Sequence, residues 1–394
     1  MTGLNAPECA ATAPKYRQIY QQLRQWLLNR EYVAGDRLPS ENELVERFGA
    51  SRPTVSRALA QLESEGFVER RAGAGTFVNA RHGEPGYVFG LLIPGLGTTE
   101  IFEPICRGIS MARVAGRHDL LWGATFSAPS SEEEQALQLC AYYVERRVSG
   151  VFFAPMEGSG EKDEINQRIC HLLDVANIPI VLLDRDIVSY PRRSGYDLVA
   201  IDNRRAGHAI AGHVLQSGAR RVVFLALPGS APTVAERALG CREAIHACGL
   251  DGVQGWTEFG DPGEIPFVQS LMARHAPDAF VCANDLTAAK LMTSLSTLGI
   301  AVPTQVKVTG MDDIRYAGML QTPLTTIQQP CMELGATAMA AMVQRIAHPA
   351  MPGRDYLVNF QLVIRQSSTP AAAHSPHRTA VCKERIAPDA VCAA

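Results

Sequence analysis

The chain has 394 residues, 46% of them hydrophobic, which is enough apolar side chain for the cores of two or three domains. Its formal net charge of −3 excludes a globally basic nucleic-acid coat, so any cationic surface has to be local. The ten cysteines, at positions 9, 106, 140, 170, 241, 248, 282, 331, 382 and 392, show no CxxC or other metal-like spacing; they read as small hydrophobes in a reducing compartment, with no metal site.

Residues 1–13 are rich in Ala, Thr and Pro and are expected to be a disordered tail. They carry no basic-then-apolar leader pattern, and no long charge-free apolar run follows, so the expectation is a cytoplasmic protein with no membrane span. From Tyr16, the residues Ile19, Tyr20, Leu23, Trp26 and Leu27 recur at three- and four-residue steps, the stripe of a helix that covers what comes next. Ser40 followed by Glu43 is a capping box, Gly49 breaks the helix it opens, and Ser51 with Pro53 in the next turn reads as a second cap. Two capped helices a turn apart have the layout of a helix-turn-helix. Residues 67–71 and 76–78, joined by Ala72-Gly73-Ala74-Gly75, read as a hairpin wing whose glycines let backbone approach a sugar-phosphate chain. From Lys15 to Arg81 there are eleven basic and eight acidic side chains, so the cationic balance lies where the motif lies.

These residues resemble the gluconate-repressor (GntR) winged helix: Leu38-Pro39-Ser40-Glu41, Ser51-Arg52-Pro53-Thr54-Val55, Ala58-Leu59, Leu62, Gly66 and Gly73-Ala74-Gly75-Thr76-Phe77-Val78. The resemblance implies a small α+β winged helix-turn-helix domain over 14–79 that binds double-stranded operator DNA. It carries Arg37, Ser40, Glu41, Ser51, Arg52, Thr54, Arg57, Gly75 and Thr76 as the residues facing DNA. Asn42 and Ser56 stand where that family often has arginine. Arg57 is one residue on from Ser56, which is about 100° further round a helix.

Residues 80–87 are polar with Gly and Pro, as a linker is. Val88-Phe89-Gly90-Leu91-Leu92-Ile93 then reads as a strand buried on both faces. Strand-like runs recur near 120–126, 150–154, 178–183, 198–201, 221–227, 279–282 and 307–309, with helical patterns near 132–146, 165–176, 204–216, 234–247, 263–275 and 286–298. Alternation of this kind implies parallel sheet with crossover helices, here too many for one sheet. Two doubly wound α/β lobes over 88–366 are expected, with a ligand cleft at the carboxyl ends of their strands.

This region also resembles a family. Ala200-Ile201-Asp202-Asn203 with Gly207, Gly218-Ala219-Arg220-Arg221-Val222, Thr233 with Arg237 and Gly240, Ala283-Asn284-Asp285, Gly310-Met311-Asp312-Asp313 and Pro323-Leu324-Thr325-Thr326-Ile327 are similar to the lactose-repressor (LacI) effector domain and to periplasmic sugar-binding proteins. The pairing of the two parts is that of arabinose-repressor-like regulators. By the resemblance Phe102 stacks on a sugar ring, while Asp184, Arg185, Arg237, Asn284, Asp312 and Gln328 hold its hydroxyls. Each has a plainer alternative: Phe102 in the core, Asp184-Arg185 as an ion-paired turn, Asn284 as a helix cap, Asp312-Asp313 as turn residues. Arg237 is the hardest to explain away, because a buried arginine in a helix needs a carboxylate or a ligand.

No GxSxG, HExxH, GxxxxGK[ST] or dinucleotide turn occurs, so an enzyme is not expected and no cofactor is implied. Nor is there a glycine-rich or concentrated cationic cradle for a phosphosugar. The expectation is a homodimeric repressor released from a palindromic operator by an uncharged monosaccharide, with an activator or a non-sugar effector as the alternative. Residues 367–394 are expected to be a second disordered tail.

Overall fold

In a computed structural model of the chain, the structure describes residues 14–369, apart from 29–30, 34, 65, 72, 80–85, 95, 97–99, 113–117, 124–130, 158–160 and 250–255. The chain divides into two compact units whose boundary in sequence is at Tyr87 and Val88.

In the first unit, three helices, α1 (Lys15–Leu28), α2 (Glu41–Phe48) and α3 (Arg52–Ser64), precede a hairpin of β1 (Val68–Arg71) and β2 (Gly75–Val78). The apolar stripe of α1 closes the core: Ile19, Leu23, Trp26 and Leu27 are buried with Leu44, Val55, Leu59, Leu62, Phe67 and Val78. The capping box forms, with the Glu43 amide donating to Ser40 Oγ at 3.3 Å and the Ser40 amide to Glu43 Oε2 at 2.6 Å. Gly49 ends α2 in the left-handed region at φ 53°, which glycine adopts without strain. Ser51 departs from the expected amide cap: its hydroxyl pairs with the Thr54 hydroxyl at 2.7 Å. The hairpin register sets Val68 opposite Val78 and Arg70 opposite Thr76.

The second unit holds two six-stranded sheets. Its elements are β3 (Tyr87–Leu92), α4 (Phe102–Met111), β4 (His118–Leu121), α5 (Glu132–Arg146), β5 (Gly150–Phe153), α6 (Glu161–Val175), β6 (Ile180–Leu183), β7 (Asp197–Ala200), α7 (Asn203–Gln216), β8 (Val222–Ala226) and α8 (Pro232–Ala247). Then come β9 (Trp256–Phe259), α9 (Ile265–His275), β10 (Ala279–Cys282), α10 (Asp285–Thr297), β11 (Lys307–Asp312), β12 (Thr325–Gln328), α11 (Cys331–Ala347), β13 (Asp355–Leu357) and β14 (Gln361–Val363). One sheet runs β13-β7-β6-β5-β3-β4 and the other β14-β12-β11-β10-β8-β9. The central pairs are parallel and β14 is antiparallel to β12. The chain therefore passes between sheets three times: between β7 and β8, between β12 and β13, and between β13 and β14.

Sequence reading and structure differ in places. The strand expected over 120–126 is β4, which starts at His118 and ends at Leu121; 124–126 lie outside the described residues. Helix α11 and strands β9, β12, β13 and β14 are not among the elements expected from the sequence. The boundary at 366 is too early, because Ser367 and Ser368 are wholly buried. Ser367 Oγ donates to the Val308 carbonyl at 2.6 Å, and Ser368 Oγ bonds Thr325 Oγ1 at 2.7 Å and His213 Nε2 at 2.8 Å. The remaining 370–394 of the expected tail, and the tail expected over 1–13, lie outside the described residues.

Helices α7 and α8 cross in near backbone contact. A Cβ on Gly240 would lie 1.9 Å from the Arg204 carbonyl oxygen, and one on Gly207 would lie 2.0 Å from that of Arg237. This crossing fixes the backbone that carries Arg237. Gly240→Ala is expected to lower stability by about 1–3 kcal/mol. Gly212→Ala, on the open side of α7 where nothing lies within 4 Å, is expected to be neutral or slightly stabilising. Urea unfolding of the two variants compares them directly.

Candidate functional sites on the helix-turn-helix face and in the lobe cleft

Helix α3 begins with its side chains outward. Arg52 is 71% exposed and its Nε lies 3.3 Å from Glu41 Oε2. The Ser51–Thr54 hydroxyl pair borders it. At the hairpin, Arg37 bridges to Phe77 and its guanidinium lies over Gly75, where a Cβ would come within 2.7 Å of Arg37 Nε. Gly75 is thus the seat of a cationic side chain on the wing.

Three residues expected to face DNA are placed otherwise. Arg57 stacks on the Tyr16 ring of α1, with Cζ 4.2 Å from the centroid. Five residues after Arg52 is about 140° round the helix, so the same helix cannot aim both at one groove. Thr76 is only 9% exposed, because the pleat turns it inward beside Val78, although its carbonyl accepts from the Leu38 amide. Ser40 and its partner Glu43 spend their side chains on the cap, and the Glu43 carboxyl is held below the usual carboxylate range chiefly by the Ser40 hydroxyl. Glu41 acts as a brace, accepting from Arg52 and also from Arg70. Sequence reading missed Arg70, whose Nη2 lies 3.5 Å from Ser56 Oγ.

In the second unit, Asp184, Arg185, Asn284, Asp312 and Gln328 of the expected ligand residues sit at the carboxyl ends of strands, while Phe102 opens α4 and Arg237 lies in α8. Asp184 follows β6 at φ 68°, and Asp312 and Asp313 close β11 at φ 110° and 53°. Three non-glycine residues in this region mark backbone strain of the kind that gathers at ligand sites. Arg185 is 4% exposed, ion-paired to Asp184 at 3.0 Å and to Glu157 at 2.8 Å, with Cζ 5.9 Å from the Phe102 ring centroid. Phe102 is buried yet lines a cavity of about 210 Å³ with Pro94, Glu132, Met156, Glu157, Lys162 and Arg185. The second oxygen of Asp184, Oδ1, is buried with no hydrogen-bond partner among the described residues.

Arg237 is 5% exposed. It lacks the bonded carboxylate that burial led one to expect: Nε donates to Asn203 Oδ1 and Nη1 to the Ala283 carbonyl, each at 2.7 Å. Its charge reaches Asp312, whose carboxyl is pushed up to about 6 by burial, with Arg237 and the Gln329 amide opposing and Asp184 and Glu157 reinforcing the rise. Asp285, wholly buried, is raised well above the usual range, first by desolvation and then by Asp312. Asn284 caps α10 through its oxygen, which accepts from the Thr287 amide and hydroxyl at 2.8 Å. Gln328 needs correction. It is exposed and donates to Asp313 at 2.9 Å, whereas Gln329, 4% exposed, donates to Asp312 Oδ1 at 2.7 Å. Gln329 lies one place further on, where the strand has already turned toward α11.

The region thus offers a carboxylate oxygen without a partner among the described residues, a second carboxyl, a fixed guanidinium and an amide, with the Arg185 charge met by two carboxylates. Such a set can give and take hydrogen bonds from hydroxyls. Among the described residues no cluster of three His, Cys, Asp or Glu is placed to hold a metal ion, and no helix is long and apolar enough to cross a membrane.

Residues 15–78 match the family described as bacterial regulatory proteins, gntR family, and residues 211–368 match the periplasmic binding protein-like domain. The chain thus carries a gntR-like segment ahead of one similar to a periplasmic binding protein-like domain. The chain is 25% identical over 389 residues to the arabinose metabolism transcriptional repressor of Geobacillus stearothermophilus, covering 91% of this chain and 98% of the relative. The crystal structure of the transcription regulator GntR from Chromobacterium violaceum superposes with a TM-score of 0.55 at 27% identity, covering 71% of this chain and 98% of that one. The transcriptional regulator CelR–cellobiose complex shares the fold with a TM-score of 0.60 at 23% identity, over 80% of this chain and 90% of that one.

A carboxyl held at about 6 binds its proton more tightly folded than unfolded. Its contribution is therefore full below the ordinary value near 3.8 and is lost as pH rises through 6, up to about 3 kcal/mol. Asp312→Asn removes this loss while keeping an acceptor for Gln329. Its melting temperature should exceed wild type at pH 7.5, and the difference should close by pH 4.

Proposed function

We propose that the chain is a ligand-responsive transcriptional repressor: a dimer whose winged helices grip a palindromic operator, released when a small uncharged sugar occupies the cleft between the lobes. One observation carries the reading. The same polypeptide bears an outward Arg52 on a gntR-family helix-turn-helix and a two-lobed domain whose buried polar groups, above all Asp184 Oδ1, await a partner. The end-to-end likeness to an arabinose metabolism transcriptional repressor supports repression over activation and puts pentoses first among the sugars to try.

The mechanism follows from the topology. Asp184 belongs to one lobe and Asp312, Arg237 and Gln329 to the other or to the crossing segment, so a ligand bonded to both sides favours the closed arrangement. Closure changes affinity for DNA by as much as the ligand prefers the closed state. Phosphate contacts make binding fall steeply with salt.

A thermal-shift panel of pentoses, hexoses and their phosphates tests the effector class, since a ligand of the native state raises its melting temperature. A neutral pentose or hexose is expected to shift it and the phosphates not to. Affinity should fall as pH drops below about 6, because a protonated Asp312 no longer accepts freely from a hydroxyl. Arg237→Ala should abolish the shift while leaving DNA binding intact, and Arg52→Ala should do the converse in a gel-shift assay on a duplex selected by the wild-type protein. A panel without any shift defeats the sugar reading; undiminished DNA binding by Arg52→Ala defeats the recognition-helix assignment.

A further inference from the structure

We propose that Arg70, on the first strand of the wing hairpin, reads a guanine in the major groove from the place that Ser56 leaves open on α3. The proposal rests on the DNA-binding reading above. In the hairpin, Arg70 pairs with Thr76 and lies two residues from buried Val68, so the pleat sets it on the α3 side of the strand, where it stays exposed. Its amide donates to Glu63 Oε1 of α3 at 3.2 Å, tying this point of the strand to the helix. The guanidinium ends against Ser56 Oγ at 3.5 Å and against Glu41.

Ser56 follows Arg52 by four residues, about 40° round the helix, and so shares its outward side. A serine there is too short to span to a base edge, and the Arg70 guanidinium fills the space above it. Arg52 and Arg70 are both held by the Glu41 carboxylate. That carboxylate decides what the pair suits. A phosphate brought up to them would also meet an anion at close range, whereas a guanine presents neutral O6 and N7 acceptors and its cytosine an amino donor that a carboxylate accepts. Nη2 makes both side-chain contacts, which leaves the Nη1 and Nε donors for a base.

The test is selection of duplexes from a randomised DNA pool by the full-length protein, by Arg70→Ala and by Arg70→Lys, at one near-physiological salt concentration. The wild-type consensus is expected to contain a guanine in each half-site that both variants lose, the other positions persisting. Affinity for the wild-type consensus should fall roughly tenfold to a hundredfold. Arg70→Lys keeps the charge and decides the matter if Arg70→Ala does not fold. Loss of that one preference by a variant with wild-type melting temperature supports base reading. The same consensus from Arg70→Lys at undiminished affinity overturns it and makes Arg70 a point-charge contact. A wild-type protein that selects no consensus overturns the DNA-binding reading and this proposal together.

Discussion

Burying charge where strands end is the constraint on which the second unit depends. Asp184, Arg185, Arg237 and Asp285 are each at most 6% exposed and Asp312 is half-buried, and every one has to be compensated in place. Arg185 is met by two carboxylates; Arg237 by an amide and a carbonyl; Asp285 by Thr326 and the Ile314 amide. Asp312 is met by Gln329 and the field of Arg237. Asp184 is met on one oxygen only. The left-handed backbone at Asp184, Asp312 and Asp313 and the glycine-lined crossing of α7 with α8 are the local means by which these groups are held in register.

The first unit solves the opposite problem. Its guanidiniums are kept outward and apart from the core by partners chosen for direction: Tyr16 takes Arg57, Trp26 takes Arg47 at 4.2 Å, and Glu41 takes Arg52 and Arg70. Aromatic faces hold two of them with no negative charge near the groove. Glu41 is the carboxylate that both Arg52 and Arg70 touch. The donors of this face are therefore pre-oriented, which reduces what ordering they lose on meeting DNA.

Much of this was legible in the sequence, and the misses share a cause. Capping box, terminal glycine and apolar runs are local signals, and they placed α2, the hairpin and strands such as β5 and β6 to within a residue or two. What failed depended on direction. Gln328 and Gln329 are alike in sequence, and only the bend from β12 into α11 tells which reaches Asp312. Thr76 and Arg70 share a pleat side that the register alone reveals. Helix α11 escaped because its Ala- and Met-rich stretch is apolar on several sides, as a helix covering a sheet is. Ser367 and Ser368 look like tail residues by composition, and their burial comes from partners 40 or more residues away.

The three passages of the chain between sheets make neither lobe a continuous piece of sequence. Strands β8 to β12, with helices α7 to α10, are one uninterrupted run, whereas the other lobe is left after β7 and receives α11 and β13 only near the end. Helix α11 buries Leu334, Ala338, Met339 and Met342 and packs on α4, β5, β6 and β7. As the polypeptide emerges in order from its synthesis, the lobe begun first is thus the last to cover its sheet. The inner lobe has by then assembled most of its own.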